Sequence, residues 1–210
     1  MPTIPPEMIL AFDTSSAACT VALFDDASNC VAGRDELIGR GHAERLVPMI
    51  AEVMEGRRAA RILVGVGPGS FTGIRVAIAA AHGLAIGWDA ELKGMSSLGL
   101  IAASAASQGA VAVAVVGGHG ELFVQQFDAA TGEPTSVLLN LPPMAAAKAT
   151  STALVVGSGA KQLVEARGWG DAREAWPSAA SALRLSQAQR SLAARPIYAR
   201  APDARVPEAA

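Results

Sequence analysis

A glycine-rich connection between a predicted strand and a predicted helix constrains the fold of this chain more than any other feature. A β-branched run at residues 62–66 leads into Gly67-Pro68-Gly69-Ser70-Phe71-Thr72-Gly73, and an alanine-rich helical run follows at residues 74–87. A strand that opens into a helix through glycines allows backbone N–H groups to converge on an anion. The stretch has no lysine after its last glycine and does not match GxGxxG, so neither common nucleotide-binding motif is present.

The glycine loop has two compatible interpretations. In the structural one, glycines let the strand turn tightly into the helix, and Ser70 or Thr72 caps the helix N-terminus. In the binding one, the loop backbone holds an anionic ligand. Pro68 and Phe71 are too bulky to be phosphate contacts, and they indicate that the loop packs on something. The sequence leaves both interpretations open.

Composition excludes several classes of protein. The chain has 210 residues, a formal net charge of −2 and 4% aromatic residues, so it lacks the basic stripe and the stacking platform of a stand-alone nucleic-acid binder. Hydrophobic residues make up 51%, but no window reaches the roughly 18 apolar residues of a membrane span. Cys19 alternates with Val21 and Leu23, which predicts a buried free thiol. The N-terminus lacks the basic region of a signal peptide, so we predict a cytoplasmic protein.

The order of predicted elements, β-β-β-α-β-α-α, occurs twice. Strands are predicted at residues 9–12, 19–24, 31–37 and 62–66, and again at 111–116, 122–128, 136–141 and 153–156. Helices are predicted at residues 42–54, 74–87 and 97–106, and again at 143–149, 160–167 and 180–194. Three antiparallel strands followed by βα, duplicated, resemble the α/β actin-like/Hsp70-like ATPase (RNase H-like) fold. We predict subdomains at residues 8–107 and 108–200, with residues 1–7 and 201–210 disordered.

A polar turn, Asp13-Thr14-Ser15, links the first two predicted strands. In actin-like ATPases and sugar kinases the corresponding turn meets phosphates or their metal, although a glycine usually stands where this chain has Thr14. The alternative is an Asx turn that only closes the hairpin. Arg75 is the one cation at the nearby glycine loop. We expect it to hold a carboxylate, for which Asp13 is a candidate, or an acidic group of a partner.

The sequence predicts no catalytic residue and no metal site. The three histidines are His42, His82 and His119, and the residue four positions after His42 is Leu46, so the chain has no HxxxH pair. No GxSxG nucleophile motif is present either.

The glycine loop and its flanks resemble the TsaB (YeaZ) family over nearly the whole chain. The matching segments, in order, are ILAFDTS at 9–15, His42 with LVPMI at 46–50, GPGSFTGIR at 67–75, GLA at 83–85, GMSSL at 94–98 and PIYAR at 196–200. Three regions depart from the family pattern. The linker at residues 56–60, before the predicted strand at residues 62–66, is short. The turn Gly117-Gly118-His119-Gly120 stands where the family usually has Asp-Ala-Arg, and the residues after Gly168 are shortened.

The resemblance implies an actin-like fold of two subdomains and a role in bacterial synthesis of N6-threonylcarbamoyladenosine at A37 of tRNAs that read ANN codons. It implies a non-catalytic subunit that pairs with the TsaD paralogue, while TsaE supplies an ATPase. Contact with tRNA is then expected only through the complex, with a homodimer when the chain is alone, no membrane contact and no required cofactor. The alternative is an ATP-dependent phosphotransferase, or a weak nucleotide-binding protein, of the same fold.

The partner surface is predicted on the first-half helices at residues 42–54 and 74–87. Apolar side chains would anchor the partner, and small ones would allow close helix contact. The interface residues predicted in this way are His42, Leu46, Met49, Val53, Ala77, Ala81 and Gly83.

Overall fold

The computed structural model describes residues 7–105 and 109–198, and its first half is built on a five-stranded mixed sheet. Its strands are β1 (Ile9–Asp13), β2 (Ala18–Phe24), β3 (Cys30–Leu37), β4 (Arg61–Gly65) and β5 (Glu91–Met95). Their spatial order is β3-β2-β1-β4-β5. The first three strands are antiparallel neighbours, and β4 and β5 run parallel to β1.

The second sheet repeats this order strand for strand. Its strands are β6 (Ala110–Val116), β7 (Leu122–Asp128), β8 (Leu139–Leu141), β9 (Leu154–Val156) and β10 (Asp171–Arg173). Their spatial order is β8-β7-β6-β9-β10, with β9 parallel to β6 and β7 antiparallel to it. The repetition confirms the predicted duplicated α/β fold of the actin-like type.

Five helices cover the sheets. They are α1 (His42–Met54), α2 (Phe71–Trp88), α3 (Ser97–Ser104), α4 (Pro143–Ala149) and α5 (Ala160–Arg167). The apolar faces of α1 and α2 pack on one side of the first sheet, and α4 and α5 pack on the second sheet. Helix α3 lies between the sheets, with Leu100 packed on the first sheet, on the side away from α1 and α2, and Ile101 in the core of the second sheet.

Helix α2 has the length and apolar composition of a membrane span, and no other helix of residues 7–105 and 109–198 does. Ile74, Ala77, Ile78 and Ala81 on its inner face are buried in the first core. The same core buries Cys19, as predicted, and burial raises the pKa of its thiol to about 11.

The sequence missed two strands, β5 and β10, and wrongly predicted one long helix. Strand β5 was missed because it lies at the sheet edge and carries Glu91, Lys93 and Gly94, which give little strand signal. The helix expected at residues 180–194 is instead two short 3₁₀ turns, Ala179–Arg184 and Ala188–Arg190. Tertiary pairing overrides helix propensity there, because Leu192 pairs with Gly94 of β5.

The last described residues pack against the first half, although the sequence placed residues 108–200 together. Ala179, Ala182 and Leu185 are buried on the first sheet, on the side opposite to α1 and α2. The chain then runs along β5 to the glycine loop, where Ile197 N donates to Val66 O at 2.9 Å. The chain therefore crosses between the halves twice. The predicted disorder of residues 1–7 and 201–210 lies outside the described residues, apart from residue 7.

Candidate functional site

The glycine loop is filled by the chain's own β1–β2 turn. Thr14 Oγ1 donates to Gly73 O at 2.7 Å, and Ser70 N donates to Ser15 O at 2.6 Å. A Cβ atom at Gly69 would lie 2.1 Å from Ser15 O, and one at Gly73 would lie 1.9 Å from Thr14 O. Both positions therefore need glycine so that the two backbones can meet. The loop receives a protein segment where a phosphate cradle would hold an anion.

The Asp13 side chain is buried beneath this contact. Its Oδ1 accepts hydrogen bonds from Ser15 N at 2.6 Å and Ser15 Oγ at 2.7 Å, and its Oδ2 accepts one from Ser97 Oγ at 2.5 Å. Burial raises the pKa of the Asp13 carboxyl, against the lowering effect of these hydrogen bonds. Asp13 ties the end of β1 to the start of α3, and it does not face a ligand cavity.

The start of α2 is organised as the sequence predicted. The Ser70 side chain caps the helix by accepting a hydrogen bond from Gly73 N at 3.3 Å. Helix α1, by contrast, begins after Gly41 without a side-chain cap. Of the two cap residues proposed from the sequence, Ser70 is the cap and Thr72 is exposed.

Arg75 does not pair with Asp13. The Arg75 guanidinium lies 3.6 Å above the centre of the Phe71 ring, and its Nε donates to the Tyr198 hydroxyl at 3.1 Å. The rings of Phe71 and Tyr198 are 5.5 Å apart, centre to centre. Asp13 is fully buried, whereas Arg75 is exposed, so the predicted Arg75–Asp13 contact is wrong. We call these three exposed residues, Phe71, Arg75 and Tyr198, the aromatic–arginine cluster.

A large open cleft of about 1510 Å³ separates the two halves beside this cluster. Its first-half wall is formed by the β1–β2 turn and the starts of α1 and α2, and the opposite wall by β6, β7 and the turn between them. Two arginines, two histidines and two acidic residues line it, namely Arg40, Arg75, His42, His119, Glu44 and Glu174. His42 Nε2 is shielded from solvent without a hydrogen-bond partner.

The chemistry available in the described part of the chain is limited. Residues 7–105 and 109–198 contain no group of three or more His, Cys, Asp or Glu side chains arranged to hold a metal ion. The residues proposed to meet phosphates, Asp13, Thr14 and Ser15, are buried and bonded within the protein. The arrangement is suited to holding loops together and to presenting a surface.

Comparison with known proteins shows which proteins this chain is similar to. A protein-family model described as "TsaD: tRNA N6-adenosine threonylcarbamoyltransferase" matches residues 35–137. The tRNA threonylcarbamoyladenosine biosynthesis protein TsaB of Escherichia coli is 39% identical over 95 residues, 43% of this chain and 40% of that protein. The protein of the same name from Haemophilus influenzae is 38% identical over 102 residues, 46% of this chain and 42% of that protein. The aligned region thus spans about two fifths of the length of these relatives.

Solved structures from Pseudomonas aeruginosa extend the likeness to nearly the whole chain. One, described as an uncharacterized protein with similarity to peptidase YEAZ, has a TM-score of 0.76 and 27% identity, and covers 92% of this chain and 100% of its own. Another, YeaZ, has a TM-score of 0.76 and 26% identity, and covers 91% of this chain and 99% of its own. These sequence and structural similarities support a relationship to the TsaB (YeaZ) family.

The structure corrects part of the predicted partner surface. Five predicted interface residues are buried in the chain's own first core, so they are not available as anchors. They are Leu46, Met49, Val53, Ala77 and Ala81. The periodicity that suggested a partner surface is the inner, sheet-facing side of α1 and α2. His42 is partly buried and lines the cleft, and Gly83 is exposed with open space around it.

Sequence reasoning offered Ser97 only as a possible helix N-cap and gave Tyr198 no role, although both residues organise this site. Ser97 accepts a hydrogen bond from Gly67 N at 3.1 Å and donates to Asp13, which joins the glycine loop to β1. Tyr198 completes the aromatic–arginine cluster from 123 positions away. Both lie in segments that matched the family pattern, GMSSL and PIYAR, so that match was the available signal.

Proposed function

We propose that this chain is a non-catalytic partner subunit in the bacterial synthesis of N6-threonylcarbamoyladenosine at A37 of ANN-decoding tRNAs. It pairs with the TsaD paralogue, and TsaE joins the complex as the ATPase. It reaches tRNA only through the complex, forms a homodimer when alone, works in the cytoplasm and needs no cofactor. The names of the E. coli and H. influenzae relatives and the TsaD family-model match support this proposal.

The filled glycine loop is the observation that carries the non-catalytic part of the proposal. Phosphate binding at this loop would require backbone N–H groups to face the ligand. Here Ser70 N is bonded to Ser15 O, Gly67 N is bonded to Ser97 Oγ, and Gly73 N is bonded to Ser70 Oγ. A nucleotide would have to displace the β1–β2 turn. This argues against the phosphotransferase alternative.

The outer faces of α1 and α2 are the surface that we propose for docking. These helices contact each other along one side of the first sheet. Val47 on α1 is 60% exposed and Ile86 on α2 is 84% exposed. Ala79 and Gly83 are small exposed residues of α2, so a partner helix can approach closely there. We call Val47, Ala51, Ala79, Gly83 and Ile86 the α1–α2 surface.

The α1–α2 surface suits either a paralogue of the same fold or a second copy. A face that is apolar at its exposed positions gains stability when it is covered, and a two-fold dimer would use the same patch on both copies. The paralogue and a second copy would then compete, so adding the paralogue should convert homodimers to heterodimers.

Reconstitution tests the proposal. The purified chain, the TsaD paralogue and TsaE from the same organism would be assayed for threonylcarbamoylation of an ANN-decoding tRNA, with each protein omitted in turn. We expect product only when all three are present. We also expect the chain alone to release no phosphate from ATP. Formation of product without this chain, or phosphate release by the chain alone, would contradict the proposal.

A further inference from the structure

The aromatic–arginine cluster stands at the start of the outer face of α2 and carries a cation without an acidic partner. Among residues 7–105 and 109–198, no carboxylate lies within 4.0 Å of Arg75, whereas Arg34, Arg45, Arg57, Arg61 and Arg173 all have one. Arg75 uses its Nε for Tyr198, and its two Nη groups have no hydrogen bond to the described chain.

The cluster holds the Arg75 guanidinium in place before any partner arrives. The Phe71 ring supports one face of the guanidinium at 3.6 Å, and the Tyr198 hydroxyl fixes Nε. An arginine fixed by stacking and by a hydrogen bond loses less conformational entropy on binding than a free side chain. Its two Nη groups match the paired oxygens of a carboxylate.

The end of the described chain builds this arrangement. Leu192 and Gly94 exchange two backbone hydrogen bonds, at 2.7 and 3.0 Å, and Ile197 N donates to Val66 O. These bonds place Tyr198 beside α2. The rings of Phe71 and Tyr198 nevertheless stay 53% and 49% exposed, so both leave apolar area in water next to the cation.

We propose that the aromatic–arginine cluster receives a carboxylate side chain, Asp or Glu, of the partner protein. This inference rests on the proposed function, in which a protein docks on the α1–α2 surface. Arg75, Ala79 and Ile86 lie on one face of α2, at positions i, i+4 and i+11, so the cluster continues that surface. Aromatic residues and arginine are enriched among the residues that dominate binding energy at protein interfaces.

A carboxylate from a protein fits better than a phosphate from a nucleic acid. The chain has a net charge of −2, and one arginine at the cluster does not make the basic surface on which RNA affinity depends. A partner carboxylate would pair with the Arg75 guanidinium, and an apolar partner residue beside it would cover the rings of Phe71 and Tyr198.

Binding measurements with charge variants test the inference. The dissociation constant of the purified TsaD paralogue would be measured by fluorescence titration against the full chain at two salt concentrations. We expect Arg75→Glu to weaken binding at least about tenfold, because it places two carboxylates together. Arg75→Gln should weaken binding less and reduce its salt dependence, and Tyr198→Phe, which keeps the ring and loses the hydroxyl, should have the smallest effect.

Arg184→Glu is the matched control. This substitution makes the same change of charge as Arg75→Glu. Arg184 is exposed and lies on the 3₁₀ turn that packs against the opposite side of the first sheet. We expect it to stay within about twofold of the unchanged protein, as surface changes away from an interface do. Melting temperatures would verify that each variant is folded.

The outcomes separate this inference from the proposed function. If the unchanged chain does not bind the paralogue, the proposed function fails and this inference with it. If the unchanged chain binds and Arg75→Glu binds equally well, or no worse than Arg184→Glu, only this inference is overturned. Arg75→Glu that abolishes self-association in sedimentation but leaves paralogue binding intact would assign the cluster to a second copy and would also overturn it. The inference is also overturned if, compared with Arg75→Glu, the unchanged chain binds the paralogue more weakly and binds a short single-stranded RNA more tightly.

Discussion

A side chain at Gly65 and the carboxylate of Asp13 cannot occupy the same space. A Cβ atom at Gly65 would lie 1.8 Å from Asp13 Oδ2 and 2.4 Å from Asp13 Cγ. Gly65 ends β4 and Asp13 ends the neighbouring parallel strand β1. The missing side chain on one strand therefore makes room for the carboxylate of the next, which reaches Ser97 at the start of α3.

Gly65→Ala is expected to destabilise the protein strongly. The methyl group overlaps a fully buried carboxylate that three hydrogen bonds hold in place, so either strand β4 or Asp13 must move. Overpacking of this kind costs about 1–3 kcal/mol of the free energy of unfolding. Urea denaturation would measure it, with Gly87→Ala as the control. Gly87 is exposed in α2 with nothing within 4 Å, and alanine there should stabilise by about 0.5–1 kcal/mol. A Gly65→Ala protein as stable as the original would contradict the geometry.

Asp13→Asn is expected to change how stability depends on pH. The pKa of Asp13 in the folded protein is raised above 3.8 by burial. The folded state therefore binds more protons than the unfolded state between the two pKa values, and stability falls as pH rises through that window. Asparagine does not ionise, so the stability of Asp13→Asn lacks this fall. The free energy of unfolding of Asp13→Asn minus that of the original protein should therefore increase from about pH 4 upward, until the carboxyl of the folded protein is ionised. Denaturation series at several pH values would show this, and a difference that decreases with pH would contradict it.

Thr14→Val is expected to weaken the contact between the β1–β2 turn and the glycine loop. Valine keeps the shape of threonine but loses the Oγ1 hydrogen bond to Gly73 O, which is buried. The expected loss in the free energy of unfolding is about 1 kcal/mol. Thr72→Val is the matched control, because Thr72 is exposed in the same loop, and its stability should be nearly unchanged. Equal effects of the two substitutions would mean that the Thr14 hydrogen bond contributes nothing specific.

Short-range sequence patterns correctly predicted most helices and strands whose conformation depends on nearby residues. The spacing of Leu46, Met49, Ile50 and Val53 placed α1 at its observed bounds, because those side chains face one sheet. The repeated order of predicted strands and helices in turn predicted the duplicated fold. Strand β5 and the 3₁₀ turns at residues 179–190 were missed because their conformations depend on pairing with distant segments.

The sequence predicted most residues of the candidate site but not the contacts between them. The sequence brought out the Asp13 turn and the glycine loop separately, but only the fold shows that one fills the other. The predicted interface failed for a related reason. Apolar periodicity in α1 and α2 identifies the face that packs on the chain's own sheet. The exposed face, with Val47 and Ile86, is the one that we propose for docking.

Ile86→Asp and Val47→Asp are expected to weaken docking of the TsaD paralogue without unfolding the chain. Both side chains lie on the outer faces of α1 and α2 and are mostly exposed, so a carboxylate there stays hydrated in the isolated protein. Once a partner covers the α1–α2 surface, the same carboxylate loses water without gaining a partner, which should raise the dissociation constant at least about tenfold. Val137→Asp provides the control, since Val137 is 73% exposed but lies next to β8 in the second half. Binding titration and melting temperature would be measured for all three. If Val137→Asp weakens binding while Ile86→Asp and Val47→Asp bind normally, docking takes place on the second half and not on the α1–α2 surface.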